Sequence, residues 1–215
     1  MDNLINYPYI NEYLDSVIPK SGGILSELEE YAAENHIPII FKEVKKLFEV
    51  FLPLISPSKI LEVGTAIGYS SILFASLCPN ADITTIEIDN DMFEMAISNI
   101  GKTEFQERIT VINDDAANIL PYLKTSYDFI FVDAAKGQYM DYYKWSKELV
   151  KPDGFIFFDN VLYKGLPANP QLVTHKHRTI ANNLRDFNFK IMNDKDFTSS
   201  LIPIGDGIII SRKDN

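Results

Sequence analysis

The chain has 215 residues, 46% of them hydrophobic and 12% aromatic, enough to bury one continuous core. Thirty acidic residues against twenty Lys and Arg give a formal net charge of -10, which excludes coating of nucleic acid by bulk charge but permits a local basic patch. A lone cysteine, Cys78, excludes an internal disulfide framework and a cysteine-cage zinc site. Met1 to Ser16 is acidic and lacks an apolar run of leader length, and no later stretch approaches the roughly 20 apolar residues of a membrane span. A soluble, cytoplasmic chain is expected, with residues 1–215 as a single domain that includes an N-terminal helical extension over 1–55.

Tyr9, Ile10, Tyr13, Leu14, Val17 and Ile18 recur at helical spacing, and Pro19 with Gly22 and Gly23 punctuates the end. Further helices are predicted from Leu25 to about Asn35 and from Lys42 to Leu54. After Ser56–Pro57–Ser58 short apolar runs take over: Lys59–Val63, Ile83–Ile86, Ile109–Ile112, Phe129–Val132 and Phe155–Phe158. Helix-compatible segments lie between them at Ser70–Leu77, Asp91–Ile100, Ala116–Leu123 and Tyr139–Val150. This alternation predicts an α/β, Rossmann-like, mostly parallel sheet with helices on both faces. Ile191–Met192, Leu201–Ile204 and Ile208–Ser211, around Gly205–Asp206–Gly207, read as strands forming an antiparallel C-terminal edge.

Open α/β sheets bind ligands at the carboxyl ends of their strands. The first strand ends in Gly64–Thr65–Ala66–Ile67–Gly68–Tyr69–Ser70–Ser71, where two glycines permit close backbone approach and Ser70 opens a helix. The G-x-x-x-G spacing is not the G-x-G-x-x-G of dinucleotide enzymes, which argues against a nucleotide-binding oxidoreductase. Glu87 ends the second strand, where a carboxylate can accept both hydroxyls of a ribose. Asn113–Asp114–Asp115–Ala116 ends the third, placed to read an adenine edge. The stretch Ile60–Ser71 resembles the first motif of class I S-adenosylmethionine-dependent methyltransferases.

The fourth strand closes with Asp133–Ala134–Ala135–Lys136 and the fifth with Asp159–Asn160. Adjacent parallel strands bring Asp133, Asp159 and Asn160 to one rim. Two carboxylates and an amide oxygen form a hard, all-oxygen set that suits Mg²⁺ or Ca²⁺ and leaves positions for water and substrate. With the cofactor motif, these residues resemble the metal-dependent O-methyltransferases of the catechol and caffeoyl-coenzyme A type over nearly the whole chain. The resemblance implies metal ligands at Asp133, Asp159 and Asn160, and a catalytic role for Asp133 and Lys136, the latter as base or as electrostatic stabiliser. It also implies cofactor contacts from Ile40, Glu62, Gly64, Gly68, Ser70, Glu87, Asp115, Ala116 and Asp133, and a homodimer.

Chelation requires two neighbouring oxygens on the acceptor, as in a catechol or in 5-hydroxyuridine. The runs Asp133–Tyr139, Asp159–Leu166 and Ile202–Gly207 resemble the bacterial tRNA 5-hydroxyuridine methyltransferase branch. That resemblance implies the wobble uridine of the tRNA anticodon loop as acceptor; the cationic surface RNA needs has candidates in Lys164, Lys176 and Arg178, although the run His175–Arg178 holds fewer arginines than that branch. A small catechol-like or hydroxycinnamoyl-type acceptor is the alternative on the same scaffold. His175 and His177, two residues apart, do not share a helix face and are not expected to bind metal. The Tyr139, Tyr142, Tyr143 cluster and Trp145 are expected to pack, and Cys78 to sit in the core.

Overall fold

A computed structural model of the chain describes residues 5–215. Met1–Leu4, where the stretch read as lacking a leader begins, lie outside the described residues. Seven strands form one sheet: β1 (Lys59–Val63), β2 (Asp82–Glu87), β3 (Ile109–Asn113), β4 (Tyr127–Val132), β5 (Val150–Phe158), β6 (Phe197–Ile202) and β7 (Ile208–Lys213). Their order is β3-β2-β1-β4-β5-β7-β6. The first five pair in parallel, and β7 runs antiparallel to both of its neighbours. The chain leaves β1 in one direction and returns to β4 on its other side. That reversal opens a crevice at the carboxyl ends of β1 and β4.

Among the described residues eight α-helices surround the sheet: α1 (Pro8–Val17), α2 (Gly23–Glu34), α3 (Lys42–Ile55), α4 (Tyr69–Leu77), α5 (Asn90–Ile100), α6 (Ala116–Ile119), α7 (Tyr139–Leu149) and α8 (Arg178–Met192). Side chains alternate along each strand, and here both faces are apolar. Phe129, Phe131 and Phe157 join one core, while Ile130, Val132, Ile156 and Phe158 join the other. Phe48 of α3 meets Phe74, Phe129 and Phe131 edge to face, with centroids 5.1, 6.0 and 5.2 Å apart. Val44, Phe48 and Leu52 of that helix are wholly buried, so α3 is part of the core. By contrast α1 buries no side chain, and Tyr7, Tyr9 and Tyr13 stay exposed. Arg108 ties down the far end of α4: its guanidinium donates to the carbonyl of Ala75 (2.8 Å), in the last turn where a helix leaves carbonyls unpaired, and to those of Cys78 (3.0 Å) and Ala81 (3.0 Å) in the loop beyond it.

Three local expectations change or sharpen. Ile191–Met192 is not a strand but the last turn of α8. Its buried partners Ala181, Leu184 and Phe187 stand at helical spacing, so the pair belongs to a 3.6-residue pattern. The Ala116–Leu123 helix breaks after one turn, because Pro121 has no amide to continue it, and a 3₁₀ turn follows over Leu120–Tyr122. The antiparallel C-terminal pair forms as expected, with the last strand inserted between β5 and β6. Among the described residues no helix is long and apolar enough to cross a membrane.

Candidate active site

A cavity of roughly 590 Å³ opens at the carboxyl rim of the parallel strands, within the range of small-molecule sites. Ile40, Gly64, Ser70, Glu87, Asp115 and Ala116 line one side. Asp133, Lys136, Asn160, Tyr163, Lys164 and Asp206 line the other. The sheet ladder continues into this rim: Gly64 donates to Ile86, Asp133 to Val63 and Asp159 to Val132, at 2.9–3.0 Å. Gly64 has φ +101, and a Cβ there would stand 2.1 Å from the Asp133 carbonyl oxygen. The glycine is therefore demanded by the closeness of β1 and β4 as well as by its place on the cavity wall.

Glu87 is fixed before any ligand arrives. Its two carboxylate oxygens accept the amides of Ala66 (2.8 Å) and Asp89 (2.9 Å), each keeping acceptor capacity toward the cavity. Asp115 caps α6 by accepting from Ala117 at 2.9 Å, and Asn113 donates to the Glu87 carbonyl at 3.0 Å. Two of the expected cofactor residues do not line the cavity. Gly68 sits at the N-terminus of α4 with φ +84, and a Cβ there would meet Ala96 at 3.4 Å, so its role is the turn and the packing of α5. Glu62 is completely buried beneath the loop, where Ser71 and Thr85 donate to its Oε2 and Oε1 has no partner. Loss of water raises its carboxyl from 4.5 to about 7, against the hydrogen bonds of Ser70, Ser71 and Thr85.

On the other side β4 and β5 deliver Asp133 and Asp159. Burial raises both carboxyls; at Asp159 the neighbouring Asp133 adds to the rise, and Lys136 opposes it at both. Asp159 Oδ1 accepts the amide of Asn160 at 2.7 Å, while the wholly buried Oδ2 has no partner. Tyr139 donates to the Asp159 carbonyl at 2.8 Å and pins the end of β5. Asn160 itself is left-handed, with φ +53. An unpaired carboxylate oxygen beside a second carboxylate and an amide is a donor set that fits a hard divalent cation. Among the described residues no three His, Cys, Asp or Glu side chains converge as a ligand set, so an ion held by Asp133 and Asp159 would need a further ligand of another kind, which the neighbouring Asn160 could supply.

Lys176 and Arg178 lie toward solvent and stand outside the cavity. His177 is the link between that run and the site, its ring 6.1 Å from that of Tyr163. Tyr139, Tyr142 and Tyr143 are buried as expected, though Tyr142 also lines the cavity. Cys78 lies in the core. Asp206, Tyr163, Phe41 and Tyr69 also form cavity wall, and none of them is marked as a site residue by its place in the sequence. The Tyr69 hydroxyl donates to Glu29 at 2.5 Å. Glu29 in turn faces the buried Lys45 at 3.5 Å, with Ser21 bonded to both. A tyrosine beside a glycine loop, with acid and lysine a helix apart, gives no spacing signal for such a network.

Sheet order and rim together define a class I S-adenosylmethionine-dependent methyltransferase fold. The O-methyltransferase family profile matches residues 16–214, and the chain belongs to that family. It is 31% identical over 226 residues to the caffeoyl-CoA O-methyltransferase of Stellaria longipes, covering 98% of this chain and 92% of that one. A Staphylococcus aureus structure provisionally described as a caffeoyl-CoA O-methyltransferase gives a TM-score of 0.89 at 30% identity, over 95% of this chain and 99% of the other. TomG of Streptomyces achromogenes, an O-methyltransferase involved in tomaymycin synthesis and solved with S-adenosylmethionine, gives 0.83 at 25% identity over 100% of both chains.

Proposed function

We propose that the protein transfers the methyl of S-adenosylmethionine to one hydroxyl of a small planar acceptor carrying two neighbouring oxygens, of catechol or hydroxycinnamoyl type, with a divalent cation such as Mg²⁺ held by Asp133, Asp159 and Asn160. The observation that carries this reading is the buried, unpartnered Oδ2 of Asp159 beside Asp133. A bound cation would supply the charge that this pair lacks and lower the pKa of a chelated hydroxyl. The sulfonium methyl is already activated, so the chain's task is to align acceptor and donor and to handle one proton. Glu87, Asp115 and Ala116 hold the adenosine end. Lys136, with Nζ 5.7 Å from the centre of the Tyr163 ring, stands on the acceptor side, where as the free amine it would accept the hydroxyl's proton or as ammonium it would stabilise the oxyanion after the proton leaves to water.

The names of the relatives support the small acceptor over the tRNA acceptor that the Asp133–Tyr139 and Asp159–Leu166 runs implied. One observation favours tRNA as a second reading: the His175–Arg178 run reaches a cavity-lining ring through His177. The net charge of -10 weighs against it. The test is to incubate the protein and S-adenosylmethionine with a caffeoyl ester, a simple catechol and tRNA bearing 5-hydroxyuridine, each with Mg²⁺ and with chelator. Product is read by mass spectrometry. A methyl ether formed on a vicinal dihydroxy ring and lost in chelator is expected. Methylation confined to tRNA would overturn the acceptor, and undiminished activity in chelator would overturn the cation.

A further inference from the structure

The turn Gly205–Asp206–Gly207 is packed between the start of α3 and the segment after β5, with Asp206 on the cavity wall. It lies at the rim because β7 is antiparallel and so begins where β5 ends, with Ile209 opposite Phe158. Gly205 (φ +57) faces the start of α3: a Cβ there would stand 2.9 Å from Val44 Cγ2 and 3.0 Å from Phe41 Cδ2. Gly207 (φ +88) faces the other side, its Cβ position 2.5 Å from Leu162 Cγ and 2.8 Å from the Leu162 nitrogen. Three hydrogen bonds join this turn to the segment after β5. Val161 donates to the Gly207 carbonyl (2.9 Å), Leu162 to the Asp206 carbonyl (3.0 Å) and the Lys164 amide to Asp206 Oδ1 (2.6 Å).

The last of these falls where the backbone most needs support. Tyr163, Lys164 and Gly165 are successively left-handed, with φ +29, +57 and +75. Side-chain-bearing residues adopt that region only when their surroundings impose it. The segment carries the Tyr163 ring, which has Lys136 Nζ at 5.7 Å and Lys164 Nζ at 6.0 Å from its centre. A flat π surface flanked by two ammonium groups matches an aromatic acceptor with ionised oxygens. We propose that Asp206 is a positioning residue: by accepting the Lys164 amide it locks Tyr163–Lys164–Gly165 in place as the acceptor-side wall next to Asn160. Its effect on acceptor use rests on the reaction proposed above, whereas its hold on the backbone does not.

The test compares Asp206→Ala with Asp206→Asn in the full chain, reading amide hydrogen exchange over 163–165, KM and kcat for a vicinal dihydroxy acceptor, and the Kd for S-adenosylmethionine. Loss of that hydrogen bond in Asp206→Ala is expected to speed exchange at these amides about tenfold and to raise acceptor KM by a similar factor. Cofactor Kd is expected to stay within about twofold. Asp206→Asn, whose amide oxygen accepts the same bond, is expected to keep wild-type exchange and KM. Unchanged exchange in Asp206→Ala would overturn the proposal. So would an Asn variant that behaves as Ala does, or cofactor affinity lost in step with KM. If Asp206→Ala does not fold, Asp206→Ser, too short to reach Lys164, is read the same way. Wild-type protein that turns over no dihydroxy acceptor would sink the proposed reaction and leave the exchange comparison to decide the clamp.

Discussion

The two sides of the cavity are built on opposite principles. On the cofactor side polar groups are paired within the chain: Glu87 by two backbone amides, Asp115 by the helix it caps, Asn113 by the Glu87 carbonyl. On the acceptor side Asp159 keeps an unpartnered oxygen, Asp133 raises its proton affinity further, and Asn160, Tyr163 and Lys164 are left-handed. One side is paired as folded. The other carries an uncompensated buried carboxylate pair, a cost that a bound cation would relieve.

The largest expected effect tests that contrast directly. Asp159→Asn is expected to lower methyl transfer by about a thousandfold or more, since the cation loses a charged ligand. The same change is expected to raise the melting temperature of ion-free protein, because it removes a buried like-charge pair. The pH sign follows from the raised carboxyls. Folded Asp133 and Asp159 hold protons that the unfolded chain has released, so their contribution is full at acid pH and fades as pH rises through the folded values. Mg²⁺ is therefore expected to stabilise wild type more at pH 8 than at pH 5, and Asp159→Asn hardly at all. Thermal melts across that range with and without Mg²⁺ decide it, and a wild type indifferent to Mg²⁺ would erase the contrast.

Gly64→Ala strikes the seam between the two sides. A methyl placed 2.1 Å from the Asp133 carbonyl at φ +101 must push β4's end away. A loss of roughly 3 kcal/mol or more in denaturant unfolding is expected, with cofactor and acceptor affinity falling together. Loss of cofactor binding alone would mean that the walls are less tightly joined than the backbone approach implies.

Legibility in the sequence divides along the same line. Strand ends announce themselves, because an apolar run that stops at Gly64, Glu87, Asp133 or Asp159 fixes where the rim lies. Parallel order then brings those ends together, so the meeting of Asp133, Asp159 and Asn160 at one rim is legible from the chain alone. Asp206 reads there only as part of a turn. Its approach to the rim depends on β7 inserting antiparallel beside β5, a pairing that periodicity does not encode. Gly68 misleads because a glycine needed for packing on Ala96 and one needed for a ligand look alike in sequence. Ile191–Met192 misleads because two apolar residues carry no period by themselves.

Glu62 is the exception on the cofactor side, a buried acid with one oxygen unpaired. With its carboxyl raised from 4.5 to about 7, the folded chain binds a proton that the unfolded chain lacks across that window, and wild type is expected to lose up to about 3 kcal/mol of stability as pH rises through it. Glu62→Gln is expected to remove that portion of the slope while leaving the Mg²⁺-sensitive portion intact. Chemical denaturation at pH 5, 6, 7 and 8 separates the two. An unchanged slope in the variant would assign the whole pH dependence to the acceptor side.

The smallest effect expected is at the outer surface. Lys176 and Arg178 touch neither wall of the cavity, so Lys176→Glu with Arg178→Glu is expected to change turnover of a dihydroxy acceptor by no more than about twofold and stability by about 0.5 kcal/mol. Nucleic-acid affinity responds differently, because removing a cation that neutralises a phosphate weakens binding and flattens its salt dependence. A drop of about tenfold or more on tRNA, steepest at low salt, would show that the run beside His177 engages phosphate and would return the acceptor to RNA. Equal turnover of the small acceptor before and after the change keeps the chemistry inside the rim. There Asp133, Asp159 and Asn160 would hold the proposed cation and leave positions open for water and the acceptor's oxygens.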